Sequence, residues 1–357
     1  MPPLSKGTIV LVHGFWVTPR SWEHWITRYE AQGYRVLAPA YPGFEVEVEA
    51  LNRDPSPVER LTVPAIMASL QAVVERLEAP PILIGHSAGG AFVQLLLDRG
   101  YGAVGVAINS APTEGVRVIP LSQLKSTFPV LKNPANRHRA VPFTYEQWRY
   151  VFTNTFDEAD ARAAYDRYHV PASGGIFWDS VLANFIPGPQ EIAVDYHNDA
   201  RAPLLFISGS EDHLMPPAVQ RSNAKHYKSN TVTEIREFPG RSHLMPAEKG
   251  CAGVVLVVDR DVLGPGDEIR QDAVPKNAAR CRDMIAVVGG ARVRFVECVR
   301  EHVAPLIVRE RHCSVAIRGI LQHRERRLEL RQRRDAHTFR RCGVDRHPNR
   351  PIATIEE

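Results

Sequence analysis

Through the first 250 residues, short apolar runs alternate with longer segments in which apolar positions recur every three or four places. The runs are Thr8–Val12, Arg35–Ala38, Pro81–Ile84, Gly102–Ile108, Pro203–Ile207 and Thr231–Phe238. Runs this short, bounded by turn residues, read as strands, and the 3.6-residue periodicity between them reads as helices. Such alternation predicts an α/β fold: a mostly parallel central sheet with helices on both faces. Ser21 is the expected N-cap of a helix over Trp22–Gln32, with Gly33 as the residue that ends it. Thr62 is placed to cap a second helix, with Pro64 in its first turn and Ile66, Leu70, Val73, Val74 and Leu77 along one face.

From about Glu114 to Tyr196 the pattern changes. Helical pieces such as Tyr145–Phe152 and Glu158–Tyr168 occur with loops and no clear strand, among dense aromatics: Phe128, Phe143, Trp148, Phe152, Phe156, Phe177, Trp178 and Phe185. This is the pattern expected of a helical cap inserted between strands. The predicted layout is a core from residues 1–113 and 197–250, a cap over 114–196, and a tail over 251–357.

Composition sets the tail apart. All five Trp and all ten Tyr precede residue 251, and beyond it the only aromatic rings of Phe are Phe295 and Phe339. The tail carries 20 Arg and one Lys against 15 acids, a net +6, so the whole-chain +4 averages a basic tail with a body at −2. So many arginines with so little apolar surface predict a poorly ordered segment, and the abrupt change suggests an altered reading frame or a fused extension. A nucleic-acid role is not expected, because acids are interspersed and no binding motif is present.

Other classes fall away. No run approaches the roughly 20 apolar residues of a membrane helix. The N-terminal apolar run is short and lacks a small-residue cleavage site, so the expected location is cytoplasmic. The five cysteines, Cys251, Cys281, Cys298, Cys313 and Cys342, show no C-x-x-C spacing. Neither a disulfide framework nor a metal site is expected.

The chemistry-bearing signal is GHSAG, Gly85 to Gly89, between the apolar run Pro81–Ile84 and a helical pattern closed by Gly100. A G-x-S-x-G turn from strand to helix exposes its serine at the helix N-terminus, where developing negative charge is favoured. Ser87 is therefore the candidate nucleophile. A serine hydroxyl needs a base, and the base needs an orienting acid. Asp212 follows the strand Pro203–Ile207, and His243 follows the strand ending at Phe238. Both fall at carboxyl ends of strands, where open α/β sheets place their sites. Glu211, beside Asp212, is an alternative acid; His169, His197 and His213 lack the context of His243. An oxyanion hole needs two converging N–H groups, for which Phe15, after His13-Gly14, and Ala88 are candidates. The candidate substrate pocket comprises Trp16, His86, Phe128, Trp148, Phe152 and Trp178.

Taken together and in order, HGFW, GHSAGG, SGSEDHLMPP and GRSHLMP resemble the α/β-hydrolase superfamily, and more narrowly its bacterial lipase, esterase and lysophospholipase-like members that carry a cap. The resemblance covers about residues 4–250. It implies a mostly parallel sheet, a cap after the sixth strand, no cofactor, and a small-molecule ester substrate cleaved through Ser87, His243 and Asp212. The serine argues against members with an aspartate nucleophile, such as haloalkane dehalogenases and epoxide hydrolases. Cofactor-free lyase, perhydrolase or C–C hydrolase chemistry on the same triad is the nearest alternative, and a non-catalytic ligand receptor a more distant one. Family members usually end in a helix packed on the sheet; here Pro246-Ala-Glu-Lys begins one, and GCAGVV breaks it.

Overall fold

The structure is a computed structural model. It describes residues 6–183 and 190–248, together with the backbone of two strands in the tail. Six parallel strands form the sheet: β1 (Thr8–Val12), β2 (Arg35–Leu37), β3 (Ile82–His86), β4 (Val104–Ile108), and, after the insertion, β7 (Leu204–Gly209) and β8 (Thr233–Phe238). Their order is β2-β1-β3-β4-β7-β8. Residues of β1, β3, β4 and β7 are almost all buried, as an apolar run covered on both faces must be. The edge strands β2 and β8 are more exposed, and Glu234 and Arg236 of β8 pair with each other.

Side chains leave the strands alternately to two apolar clusters. Val10, Val12, Leu83, Ala107 and Phe206 join one cluster, which extends into the helices α4 (Val63–Glu75) and α5 (Ala88–Asp98). Ile9, Leu11, Ile84, Val106 and Ile207 join the other, with Trp22 and with Trp25 and Tyr29 of α1 (Glu23–Ala31). The short helices α2 (Val48–Arg53) and α3 (Ser56–Glu59) precede α4, and α10 (Pro217–His226) joins β7 to β8.

The Thr62 cap and Pro64 stand as expected: Thr62 accepts the Ala65 N–H at 3.4 Å. The start of α1 differs. A 3-10 turn over Pro19–Trp22 precedes it, capped by Thr18, and Ser21 instead donates to the Thr18 carbonyl at 2.9 Å. Gly33 does end α1, at φ +87°, with Tyr34 N–H returning to the Tyr29 carbonyl.

The insertion follows the fourth strand of this six-stranded sheet rather than a sixth. It contains α6 (Leu121–Leu131), a 3-10 turn (Pro134–His138), β5 (Ala140–Val141), α7 (Tyr145–Val151), α8 (Glu158–Tyr168), β6 (Ala172–Ser173) and α9 (Gly174–Ala183). The small antiparallel pair of β5 and β6 was not expected from the sequence. Thr144 and Gln147 form a reciprocal cap at the start of α7. At the neck, Glu114 N–H donates to the Ile192 carbonyl.

The last turn on the core is 3-10, Met245–Ala247. The run Cys251–Val258 and Phe185 lie outside the described residues, as does most of the tail. Within the tail, β9 (Cys281–Val288) and β10 (Ala291–Cys298) pair antiparallel, Ala291 opposite Val288.

Candidate active site

Ser87 sits between the last residue of β3 and the first of α5, at φ +55° and ψ −120°. That is a sparsely populated conformation for a side-chain-bearing residue. Backbone bonds hold it: Ser87 N–H donates to the Ile108 carbonyl at 2.9 Å, and the Ser87 carbonyl accepts from Gly90 and Ala111. The strand and helix meet so closely that a Cβ on Gly85 would lie 2.1 Å from the Gly89 carbonyl oxygen, which explains the glycine there.

On the loop after β7, Asp212 is buried, and its carboxylate collects three donors. Leu214 and Met215 N–H groups reach Oδ1 at 2.8 Å, and His243 Nδ1–H reaches Oδ2 at 2.7 Å. His243 is fully buried on the loop after β8, and its bond to the Asp212 carboxylate makes Nδ1 the donor nitrogen and leaves Nε2 as the acceptor. No hydrogen-bond partner reaches His243 Nε2, so the bond to the serine hydroxyl is not formed here. Such bonds often lengthen in unliganded sites. Glu211 is exposed and turned to the Ser210 hydroxyl, which separates it from the imidazole that Asp212 meets.

The loop after β1 lies against Ser87. A Cβ on Gly14 would stand 2.8 Å from the Ser87 Cβ and 3.2 Å from His86 Nδ1, so only glycine lets Phe15 come this near. Ala88 is the first residue of α5, where helix geometry gives the N–H no intrahelical acceptor. Phe15, on the loop after β1, and Ala88, at the first position of α5, thus flank Ser87. Ser87, Phe15 and Ala88 are at most 7% exposed, so the site is enclosed.

A strained serine at a strand–helix turn, beside a buried histidine–aspartate pair, accords with the sequence match. Residues 9–255 match the alpha/beta hydrolase family. The chain belongs to that family. No curated protein matches it by sequence. Among solved structures, a pyrethroid hydrolase from Sphingobium faniae is similar at 21% identity and a TM-score of 0.51, over 70% of this chain and 96% of that one. An extracellular alpha/beta-hydrolase from a Paenibacillus species is similar at 20% identity and a TM-score of 0.50, over 68% and 94%. A structure from the metagenome-derived lipolytic enzymes LipS and LipT gives 17% identity and 0.51, over 70% and 91%.

The expected pocket residues of this hydrolase do not share one place. Trp16 stacks on Phe143 with centroids 4.3 Å apart and touches Phe177 at 4.6 Å, and its indole N–H donates to the Val141 carbonyl. Phe152 packs its ring edgewise on His243 at 4.9 Å, and its carbonyl accepts the Leu244 N–H. These two join the cap to the site. Trp148 lies behind Phe152, stacked at 4.2 Å and fully buried against Tyr165 and His169, in the cap's own packing. Phe128 is 59% exposed on α6, unlike the enclosed Ser87, Phe15 and Ala88. Trp178 is half-buried on α9; its neighbour Phe177 is the residue whose ring meets Phe15, at 6.1 Å.

His86 takes a different place again. Burial, with His243 alongside, pushes its pKa well below the usual value, so it stays neutral. Its Nε2–H donates to the His243 carbonyl at 2.8 Å, and its ring faces Trp22 on the other side of the sheet. Sequence reasoning named Phe177 only among the aromatics of the insertion and passed over Asn109, whose positive φ, +44°, leaves a faint trace in the choice of Asn at a strand end. Among the described residues no cluster of His, Cys, Asp or Glu could hold a metal, and no helix is long and apolar enough to cross a membrane.

Proposed function

We propose that this hydrolase cleaves carboxylic esters of apolar small molecules through an acyl-enzyme on Ser87. The observation that carries the reading is the 2.7 Å His243–Asp212 bond on the loops beside the strained turn of Ser87. His243 Nε2 takes the Ser87 proton as Oγ attacks the ester carbonyl, and Asp212 holds the imidazole in the tautomer that makes this possible. The oxyanion forms between the N–H groups of Phe15 and Ala88. A donor of this kind is worth about 3 kcal/mol of barrier. His243 then protonates the leaving alcohol, and water repeats the sequence to release the acid. The aromatic wall of Phe15, Trp16, Phe152 and Phe177 favours an apolar acyl or alcohol group over a sugar or a charged one.

A fluorophosphonate probe and p-nitrophenyl esters of graded acyl length test this directly. One adduct is expected, on Ser87, lost in Ser87→Ala. His243→Ala and Asp212→Asn should lower kcat by about 10³- to 10⁴-fold or more in folded protein, and Glu211→Gln should not. Labelling at another serine, or a mild Asp212→Asn beside a damaging Glu211→Gln, would refute the assignment.

A further inference from the structure

Three strand ends must be held in register for Ser87, Asp212 and His243 to meet, and one buried side chain joins the end of β7 to the loop that carries His243. Asn109 follows the last residue of β4 and is fully buried. Its Nδ2 donates to the Ser242 carbonyl at 3.0 Å and to the His243 carbonyl at 3.1 Å. Its Oδ1 accepts the N–H of Gly209, the last residue of β7, at 2.7 Å, and the Gly209 carbonyl in turn accepts from Asp212 N–H. The orientation of the amide is unambiguous, because carbonyl oxygens only accept and an N–H only donates. Residues before and after it grip the nucleophile: the Ile108 carbonyl accepts from Ser87 N–H, and Ala111 N–H, two positions on, donates to the Ser87 carbonyl at 2.8 Å.

We infer that Asn109 is the positioning residue of the triad, the group that sets where the His243 imidazole stands relative to Ser87. This rests on reading the three residues as a triad. The Asp212 bond fixes how the imidazole is rotated; it does not fix the Cα from which the ring hangs. That point is held by the His243 carbonyl, clamped by Asn109 from β4 and by His86 Nε2–H from β3. β3 runs directly into Ser87 and β4 accepts its N–H, so base and serine share one frame. Asn is the side chain the position requires. It supplies two N–H donors and an acceptor on a short stem, and it tolerates the left-handed backbone at φ +44°. Asp would face two carbonyl oxygens with an oxygen of its own. Gly would keep the backbone and delete the clamp.

The test compares Asn109→Gly and Asn109→Asp with the wild type in ester hydrolysis, in the rate of fluorophosphonate labelling, and in the low-field proton resonance of the His243–Asp212 hydrogen bond. With the clamp gone, kcat and the labelling rate should fall by about 10- to 100-fold while KM stays within about twofold, and the low-field resonance should shift or broaden. Asn109→Asp, which keeps the side-chain shape and backbone preference, covers the case in which Asn109→Gly does not fold. Variants that melt lower but keep kcat and the resonance would make Asn109 merely structural and overturn the inference. A wild type that neither labels nor hydrolyses would instead sink the esterase reading, and the resonance would still report on the clamp.

Discussion

The backbone of Ser87 stores a cost that its hydroxyl does not reveal. At φ +55° a side chain crowds its own carbonyl, and such residues cost about 1–3 kcal/mol. Ser87→Gly should therefore be inactive yet more stable, by about 1 kcal/mol in thermal or urea unfolding. Ser87→Thr keeps a hydroxyl but adds a branch at Cβ, which this conformation tolerates poorly. It should melt lower than wild type and label slowly if at all. An unchanged midpoint in both variants would show that the turn is not strained. At this scale the sequence was most informative where chemistry demands a residue type in a fixed context: a serine between strand and helix, an acid and a histidine each just past a strand. Asn109 escaped because its partners, Ser242 and His243, lie more than 130 positions away, and nothing local marks a donor for them.

Elements show where pattern stops being enough. The strands were legible because the interior of a parallel sheet is apolar on both faces, and the helices of the cap because their caps and periodicity are local. The direction in which a cap helix points its aromatics is not local. Phe177 and Trp178 are adjacent on α9, and a rotation of about 100° decides which of them meets Phe15. Trp148, expected at the pocket, stacks behind Phe152 in the cap. Trp148→Ala should consequently cost about 3–5 kcal/mol of stability. Phe177→Ala should mainly shift KM and the preferred acyl length. Steady-state kinetics beside melting curves separate the two. The cap is also pinned to α1, where Glu23 binds Arg167 and the Tyr168 hydroxyl of α8. The Arg167 guanidinium holds the Glu23 carboxyl down at about 2 from a usual 4.5. A depressed carboxyl stabilises above its unfolded value and loses that contribution as the pH falls from 4.5 toward 2. With Arg167 exposed and Glu23 only half-buried, solvent screens the pair, which is worth about 0.5 kcal/mol. Glu23→Gln should remove that small pH dependence from the melting curve.

Acid sensitivity of the whole molecule has a larger source. His13, beneath the loop of Phe15, and His169, which accepts the Phe143 N–H in the cap, are both lowered by burial to about 4 from 6.5. The unfolded chain therefore binds protons that the folded one refuses. Stability is full above 6.5 and falls on acidification by up to about 1.4 kcal/mol per pH unit for each group, until about pH 4. Unfolding midpoints across that window should drop steeply, and His169→Gln, which keeps an acceptor but takes no proton, should flatten the slope. An unaltered slope would place the sensitivity elsewhere.

The position of the insertion also dictates the order in which the site is assembled. β4 and β7 are neighbours in the sheet, but the chain between Ile108 and Leu204 must first close a loop of roughly 95 residues. Because closure entropy grows only with the logarithm of length, doubling the cap would cost the sheet just about 0.6 kcal/mol, so cap size is thermodynamically cheap. Its effect falls on time instead. β3, the serine turn, α5 and β4 are contiguous and can form early, whereas β7 and β8, which bring Asp212 and His243, dock only after the long loop closes. During refolding, labelling at Ser87 should lag the recovery of the far-ultraviolet circular dichroism signal, and the lag should lengthen as residues are added to the cap.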